Sequence, residues 1–168
     1  MSSKLKLSPS VSYVLGVYST SDRKLPMHLH TENSEMLERF IKIAVTDLGV
    51  KANKIILKEN EASFYNSRLK RLFDRALERR TKAFKYLNDY SGSYLAGLFD
   101  CNGGFDRKGM FVRDLEAHDA LLMENLGIHL KHQGSKAYVM NENAFVELIR
   151  KHSSTLGKVK RHAGRKRA

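Results

Sequence analysis

The sequence contains a single cysteine, Cys101, so neither an internal disulfide nor a cysteine-cluster zinc site can form. No apolar run approaches the roughly 20 residues of a membrane span, which leaves no place for a transmembrane helix. The opening Met1-Ser-Ser-Lys-Leu-Lys has no signal-peptide core, so an intracellular protein of the cytoplasm, nucleoid or an organelle is expected. Acid is in short supply. Eighteen Asp plus Glu face 30 Lys plus Arg, leaving a net charge of +12 and a pI near 9.9. Such a balance is the electrostatic footprint of a nucleic-acid binder. A merely soluble basic protein or a binder of anionic membranes shares it, but here the basic residues recur in segments that also read as strands. The last stretch, 158–168, holds six Lys or Arg and no acid; it reads either as a solvated tail or as a source of non-specific phosphate contacts.

What is present is enough for a core. With 42% hydrophobic residues in 168, the chain fits one domain or two small halves sharing an interior. The stretch that organises it is Ser93-Tyr-Leu-Ala-Gly-Leu-Phe-Asp-Cys-Asn-Gly-Gly-Phe105. Ser93 reads as an N-cap, and Tyr94, Leu95 and Leu98 form an apolar face at helical spacing. Gly97 costs such a helix about 1 kcal/mol against alanine but lets another backbone come close. Asp100 and Asn102 fall at the helix end, where Gly103-Gly104 stop it and launch an extended segment. By itself the stretch is either an ordinary buried helix with a Gly-Gly stop or a close-packing helix with a polar, metal-capable tip.

A second copy bears on that choice. Ser12-Tyr-Val-Leu-Gly-Val-Tyr-Ser-Thr-Ser-Asp22 repeats the pattern, placing Gly16 against Gly97 at a shift of 81 residues. Each copy is followed by an apolar helix ending alike, in Leu48-Gly49-Val50 and in Leu126-Gly127-Ile128. Recurrence at half the chain length indicates two similar halves rather than a many-unit solenoid.

In order, the spacing predicts a helix over 10–20 after Pro9, then extended pieces at 22–25 and 27–31 broken by Pro26. A helix over 33–48 and strands at 54–58 and 62–66 follow. The longest helical pattern, 68–88, is crowded with Arg and Lys, and Tyr90-Ser91-Gly92 reads as a linker. The second half repeats the order: a hairpin of 104–107 and 110–114 turning at Lys108-Gly109, a helix over 116–126, strands at 128–132 and 136–140, and a helix over 142–151. Strand residues His28 and His30 alternate with Met27 and Leu29, so one face of that strand is polar. The pairs His28-x-His30 and His129-x-x-His132 lack a third ligand at zinc spacing.

Leu95-Ala-Gly-Leu-Phe-Asp-Cys-Asn-Gly103 closely resembles the signature of the LAGLIDADG homing endonucleases, matching at all but three of nine positions. Val14-Leu-Gly-Val-Tyr18 is similar to the looser first motif of the single-chain members. The resemblance implies an α+β fold of two pseudo-symmetric αββαββα halves, with antiparallel sheets forming a DNA-binding saddle and the motif helices packed at the centre. The halves would span 1–89 and 90–155, followed by a basic tail at 156–168.

The function so implied is that of a monomeric, intron-encoded, site-specific double-stranded DNA endonuclease using Mg²⁺ or another divalent cation on a long pseudo-palindromic target. In the family the penultimate motif residue is an acid that binds the metal. Here it is Asn102, and the aligned first-motif residue is Ser21, with Asp22 one later. Ser21, Asp22 and Asn102 are thus the implied metal and catalytic positions, with Arg113 and Lys136 as basic residues beside the metal. Asn102 offers a neutral oxygen, which would weaken or abolish cleavage. It fits a substitution that traps an uncut complex, a chain that binds without cutting (such as an intron RNA maturase, with intron RNA as partner), or replacement of the acid by Asp100 or Asp106.

DNA contact is expected from polar residues on the free sheet faces. In the first half these are Arg23, Lys24, His28, His30, Lys54, Lys58, Tyr65 and Arg68. In the second they are Arg107, Lys108, Arg113, His129, Lys131, Gln133, Lys136 and Tyr138.

Overall fold

Two helices that are apolar nearly all round must be buried on all sides, and they form the centre of the molecule. The computed structural model describes residues 5–21 and 27–156. Helix α1 (Pro9–Ser19) starts at Ser8, whose hydroxyl accepts the Val11 amide, with Pro9 supplying a preset φ in the first turn. Its residues Val11–Ser19 are all buried. The later motif helix, α5 (Asp89–Asn102), is buried from Ser91 to Phe99 and ends at Gly103. The two helices lie backbone to backbone. A Cβ built on Gly16 would sit 2.0 Å from the Tyr94 carbonyl oxygen, and one on Gly97 would sit 2.2 Å from that of Tyr13. The expected close approach is therefore present and reciprocal.

Around this pair each half repeats one plan. In the first half, β1 (Met27–His30), α2 (Ser34–Thr46), β2 (Ile56–Lys58), β3 (Glu61–Phe64) and α3 (Ser67–Glu78) follow α1, with a short α4 (Arg80–Ala83) leading onward. In the second, β4 (Gly103–Asp106), β5 (Gly109–Arg113), α6 (Ala117–Asn125), β6 (Leu130–Gln133), β7 (Lys136–Val139) and α7 (Glu142–Ile149) follow α5. Both sheets are antiparallel, in the orders β1-β3-β2 and β4-β5-β7-β6. The three described strands of the first sheet thus correspond one for one to β5, β7 and β6. Ring contacts repeat too: Tyr18 meets Phe73 of α3 edge-on at 5.5 Å, and Phe99, equivalent to Tyr18, meets Phe145 of α7 at 6.0 Å. One face of each sheet is sealed by helices. Met27, Leu29, Ala62 and Phe64 join the core beneath α2, and Met110, Val112 and Val139 join it in the second half.

Several local expectations are corrected. Ser93 does not cap α5; it lies fully buried within the helix. The cap is Asn88, whose side chain accepts the Tyr90 and Ser91 amides while the Ser91 hydroxyl accepts the Asn88 amide. The stretch Tyr90-Ser91-Gly92 is accordingly helix, not linker. The basic pattern over 68–88 breaks at Arg79, because Arg80 turns inward, 3% exposed, to meet acids of the second half. Its guanidinium reaches Asp119 at 3.0 Å and Glu116 at 2.7 Å, and the Tyr94 hydroxyl donates to Asp119 at 2.6 Å. The strand expected over 54–58 begins only at Ile56, after a 3-10 turn at Ala52–Lys54. The β4–β5 hairpin turns at Arg107-Lys108, with Gly109 already in the strand at φ +121°.

Candidate nucleic-acid interface

The strand registers assign each side chain to the sealed or the open face. On the first sheet His28 lies opposite Ser63 and His30 opposite Glu61, with Ile56 and Lys58 completing the two rows. Tyr65, just past β3, is 70% exposed, and Arg68 is exposed in the first turn of α3. Lys54 sits on the 3-10 turn rather than on a strand. Asp22, Arg23 and Lys24 lie outside the described residues, as does the tail at 158–168.

The open face of the second sheet is more ordered and more basic. Asp106 at the end of β4 accepts three bonds: from the Lys108 amide at 2.8 Å, from Lys136 Nζ at 2.9 Å and from the Tyr138 hydroxyl at 2.7 Å. The Lys136 and Tyr138 bonds hold its carboxyl down at about 2. The hydrogen bond that the Tyr138 hydroxyl donates to this carboxylate in turn pushes Tyr138 up. Lys136 also lies 4.3 Å from the Phe111 ring centroid, and the Arg113 guanidinium lies 5.4 Å from it. Cation–ring attraction of this kind fixes where the charges point. Lys108 reaches Gln133 Oε1 at 2.8 Å, tying the two hairpin tips together. Arg107, Arg113, His129, Lys131 and Gln133 are exposed. Tyr138 is 8% exposed, so it serves the face mainly by packing and by holding Asp106.

The helix tips lie where the two open faces meet. Ser21, His28, His30, Asp100, Cys101 and Asn102 line a cleft of about 210 Å³, and the Asn102 amide donates to the Arg113 carbonyl at 3.3 Å on the other side. Ser21 donates to the Tyr18 carbonyl at 2.8 Å. Among the described residues the donors at the tips do not fit a hard divalent cation, which is held through one or two carboxylates; Asp22, the acid implied for the first tip, lies outside them. Asn102 and Ser21 are neutral, and no group of three His, Cys, Asp or Glu among the described residues could hold a metal. Asp100 is already committed. Its carboxylate accepts from the hydroxyls of Tyr13, Ser153 and Thr155 and from the amides of Ser154 and Thr155. Asp106 is likewise committed to Lys136 and Tyr138. Burial pushes the Cys101 thiol up to about 12, so it is no nucleophile at neutral pH.

One exposed residue of the open face escaped the sequence reading. Ile56 lies in the row of Ser63 and His28 and is 60% exposed. The available signal was the apolar triplet Ile55-Ile56-Leu57 in a sheet with one sealed face, which cannot bury every member.

No family model matches the sequence, and no curated protein matches it. Solved structures do. The crystal structure of I-DmoI in complex with DNA and Mn aligns with a TM-score of 0.60 at 16% identity, covering 86% of this chain and 97% of that one. The complex of I-DmoI with DNA and Ca aligns at 0.61 and 15%, covering 84% and 88%. A variant of I-DmoI with its target DNA in the presence of 2 mM Mg aligns at 0.61 and 16%, covering 84% and 96%. I-DmoI is a homing endonuclease. At this identity the likeness shows the fold, and it is the fold that the motif resemblance implied.

Proposed function

We propose that this chain is a monomeric, sequence-specific duplex-DNA-binding protein of the homing-endonuclease type, whose phosphodiester cleavage is weakened or abolished by Asn102. The observation that carries this reading is the pair of open sheet faces beside the two motif-helix tips, the second of them lined with Arg107, Lys108, Arg113, Lys131 and Lys136. Each half, 1–89 and 90–155, addresses one half of a long pseudo-palindromic site, and the basic tail at 156–168 adds phosphate contacts. I-DmoI, with the same fold, is found in complex with DNA and with Mn or Ca, which supports a duplex partner and a divalent cation as the relevant chemistry.

The faces suit that partner physically. A two-stranded ribbon enters the major groove, where polar side chains two residues apart can reach successive base edges. Lys136 and Arg113 are held in place before any ligand arrives, so less side-chain entropy is lost on binding. A divalent cation, when bound, would supply charge stabilisation and an activated water at the scissile phosphate. Ser21 and Asn102, at the described tips, would offer that cation neutral oxygens and Asp22 a carboxylate on the first-motif side, while the sheet-face residues bind and position the duplex. Intron encoding and a Mg²⁺ requirement remain part of the proposal.

The test is duplex binding as a function of salt. Each phosphate neutralised adds about −0.9 to the slope of log K against log salt, so half a dozen contacts predict a slope of about −5. Arg113→Ala should lower its magnitude by about 1. A salt-insensitive interaction, or preference for folded RNA over duplex, would contradict the reading.

A further inference from the structure

The two open faces can be compared residue for residue, because β1, β3 and β2 follow the same order and direction as β5, β7 and β6. The first residues of β3 and β7, Glu61 and Lys136, set the common origin. Two residues further along, the second sheet carries the row Phe111, Tyr138, Lys131. The first sheet carries His28, Ser63, Ile56 in the matching row. Ile56 and Lys131 therefore hold the same position on the edge strands of the two faces, and both project into solvent.

Their chemistry is opposite. An isoleucine gains nothing from hydrogen-bonding groups in the major groove; the one apolar feature offered there is the C5-methyl of thymine. A lysine finds its best partner in the O6 and N7 acceptors of guanine. We infer that this pair makes the DNA target asymmetric at one matched position, Ile56 reading thymine in the first half-site and Lys131 reading guanine in the second. The inference rests on the duplex-DNA reading above. It concerns specificity alone and involves neither the helix tips nor a metal.

The experiment is selection from a randomised duplex library by the full chain and by two exchange variants, Ile56→Lys and Lys131→Ile. The wild-type chain should enrich thymine at one position and guanine at its symmetry mate. Ile56→Lys should select guanine at both, and Lys131→Ile thymine at both. Both side chains are solvent-exposed, so both variants should melt within about 2 °C of wild type, in line with surface changes of under about 0.5 kcal/mol. Replacing the selected thymine by uracil removes only the methyl. That change should weaken the wild-type complex about fourfold, the worth of one buried methylene-sized group, and should leave an Ile56→Ala complex unaffected. Enrichment of the same base at both positions, or an unchanged base preference in Ile56→Lys, overturns the inference. Failure to enrich any duplex overturns instead the DNA reading on which it stands.

Discussion

Gly16 and Tyr94 are in backbone contact: a methyl group on Gly16 would sit 2.0 Å from the Tyr94 carbonyl oxygen. Gly97 meets Tyr13 in the same way at 2.2 Å, so the contact is repeated about the approximate twofold relating the halves. Gly16→Ala or Gly97→Ala must push two buried helices apart. Each should cost about 3 kcal/mol, the upper range for overpacking a core, and lower the melting temperature by about 6–12 °C for a chain of this size. Denaturant titration checks it, and a cost below about 1 kcal/mol would mean the helices are not packed as described.

Ser12 and Ser93 occupy equivalent places on the same two helices, and both hydroxyls are buried with no hydrogen-bond partner among the described residues. A buried donor left unmade costs about 1–3 kcal/mol, and alanine is the better helix former. Ser93→Ala should therefore stabilise the chain by about 1 kcal/mol. Loss of stability would instead point to a water or partner satisfying the hydroxyl.

Arg80 and Asp119 form a buried pair, with side chains 4% and 2% exposed, whereas Glu116 is 38% exposed. Removing Asp119 leaves Arg80 only its half-open partner Glu116 and takes the acceptor from the buried Tyr94 hydroxyl, so Asp119→Ala should cost about 3 kcal/mol. Glu116→Ala, acting on a pair open to water, should cost no more than about 1 kcal/mol. Comparable costs for the two would contradict the burial order.

Asp106 is held ionised by Lys136, Tyr138 and the Lys108 amide, with its carboxyl at about 2. Because that value is depressed, its contribution is complete above the unfolded carboxylate range, near 3.9, and is lost as pH falls through about 2. Between pH 5 and 8 the open face should be unaffected by this group. An NMR titration of the carboxyl carbon should give a midpoint near 2, shifted upward in Lys136→Met. A midpoint in the ordinary range would show that the carboxylate is not held.

Much of this architecture is legible in the sequence, and the limits have physical causes. The repeat of Ser-Tyr-x-x-Gly and the Gly103-Gly104 stop locate both central helices, and period-2 alternation places His28 and His30 on the open face. Local spacing could not foresee that Arg80 would be drawn inward by Asp119 and Glu116, 36 to 39 residues away, breaking the helix at Arg79. Nor could it show that Asn88 rather than Ser93 caps α5, since both types serve as caps. The role of Asp100 as the acceptor for Tyr13 and the 153–155 segment is likewise a long-range fact. Ile56 was hidden because an apolar residue in a strand is ordinarily counted as core.

The most direct test of the central claim is the Asn102→Asp change, assayed beside the wild-type chain for binding and strand scission of the selected duplex, with Mg²⁺ and with Ca²⁺. A duplex-binding scaffold disarmed at one helix tip predicts tight, salt-sensitive binding by both proteins and a large gain of Mg²⁺-dependent scission in Asn102→Asp alone. Equal scission by the two proteins, or no gain on any bound duplex, would contradict the claim that Asn102 is what limits cleavage.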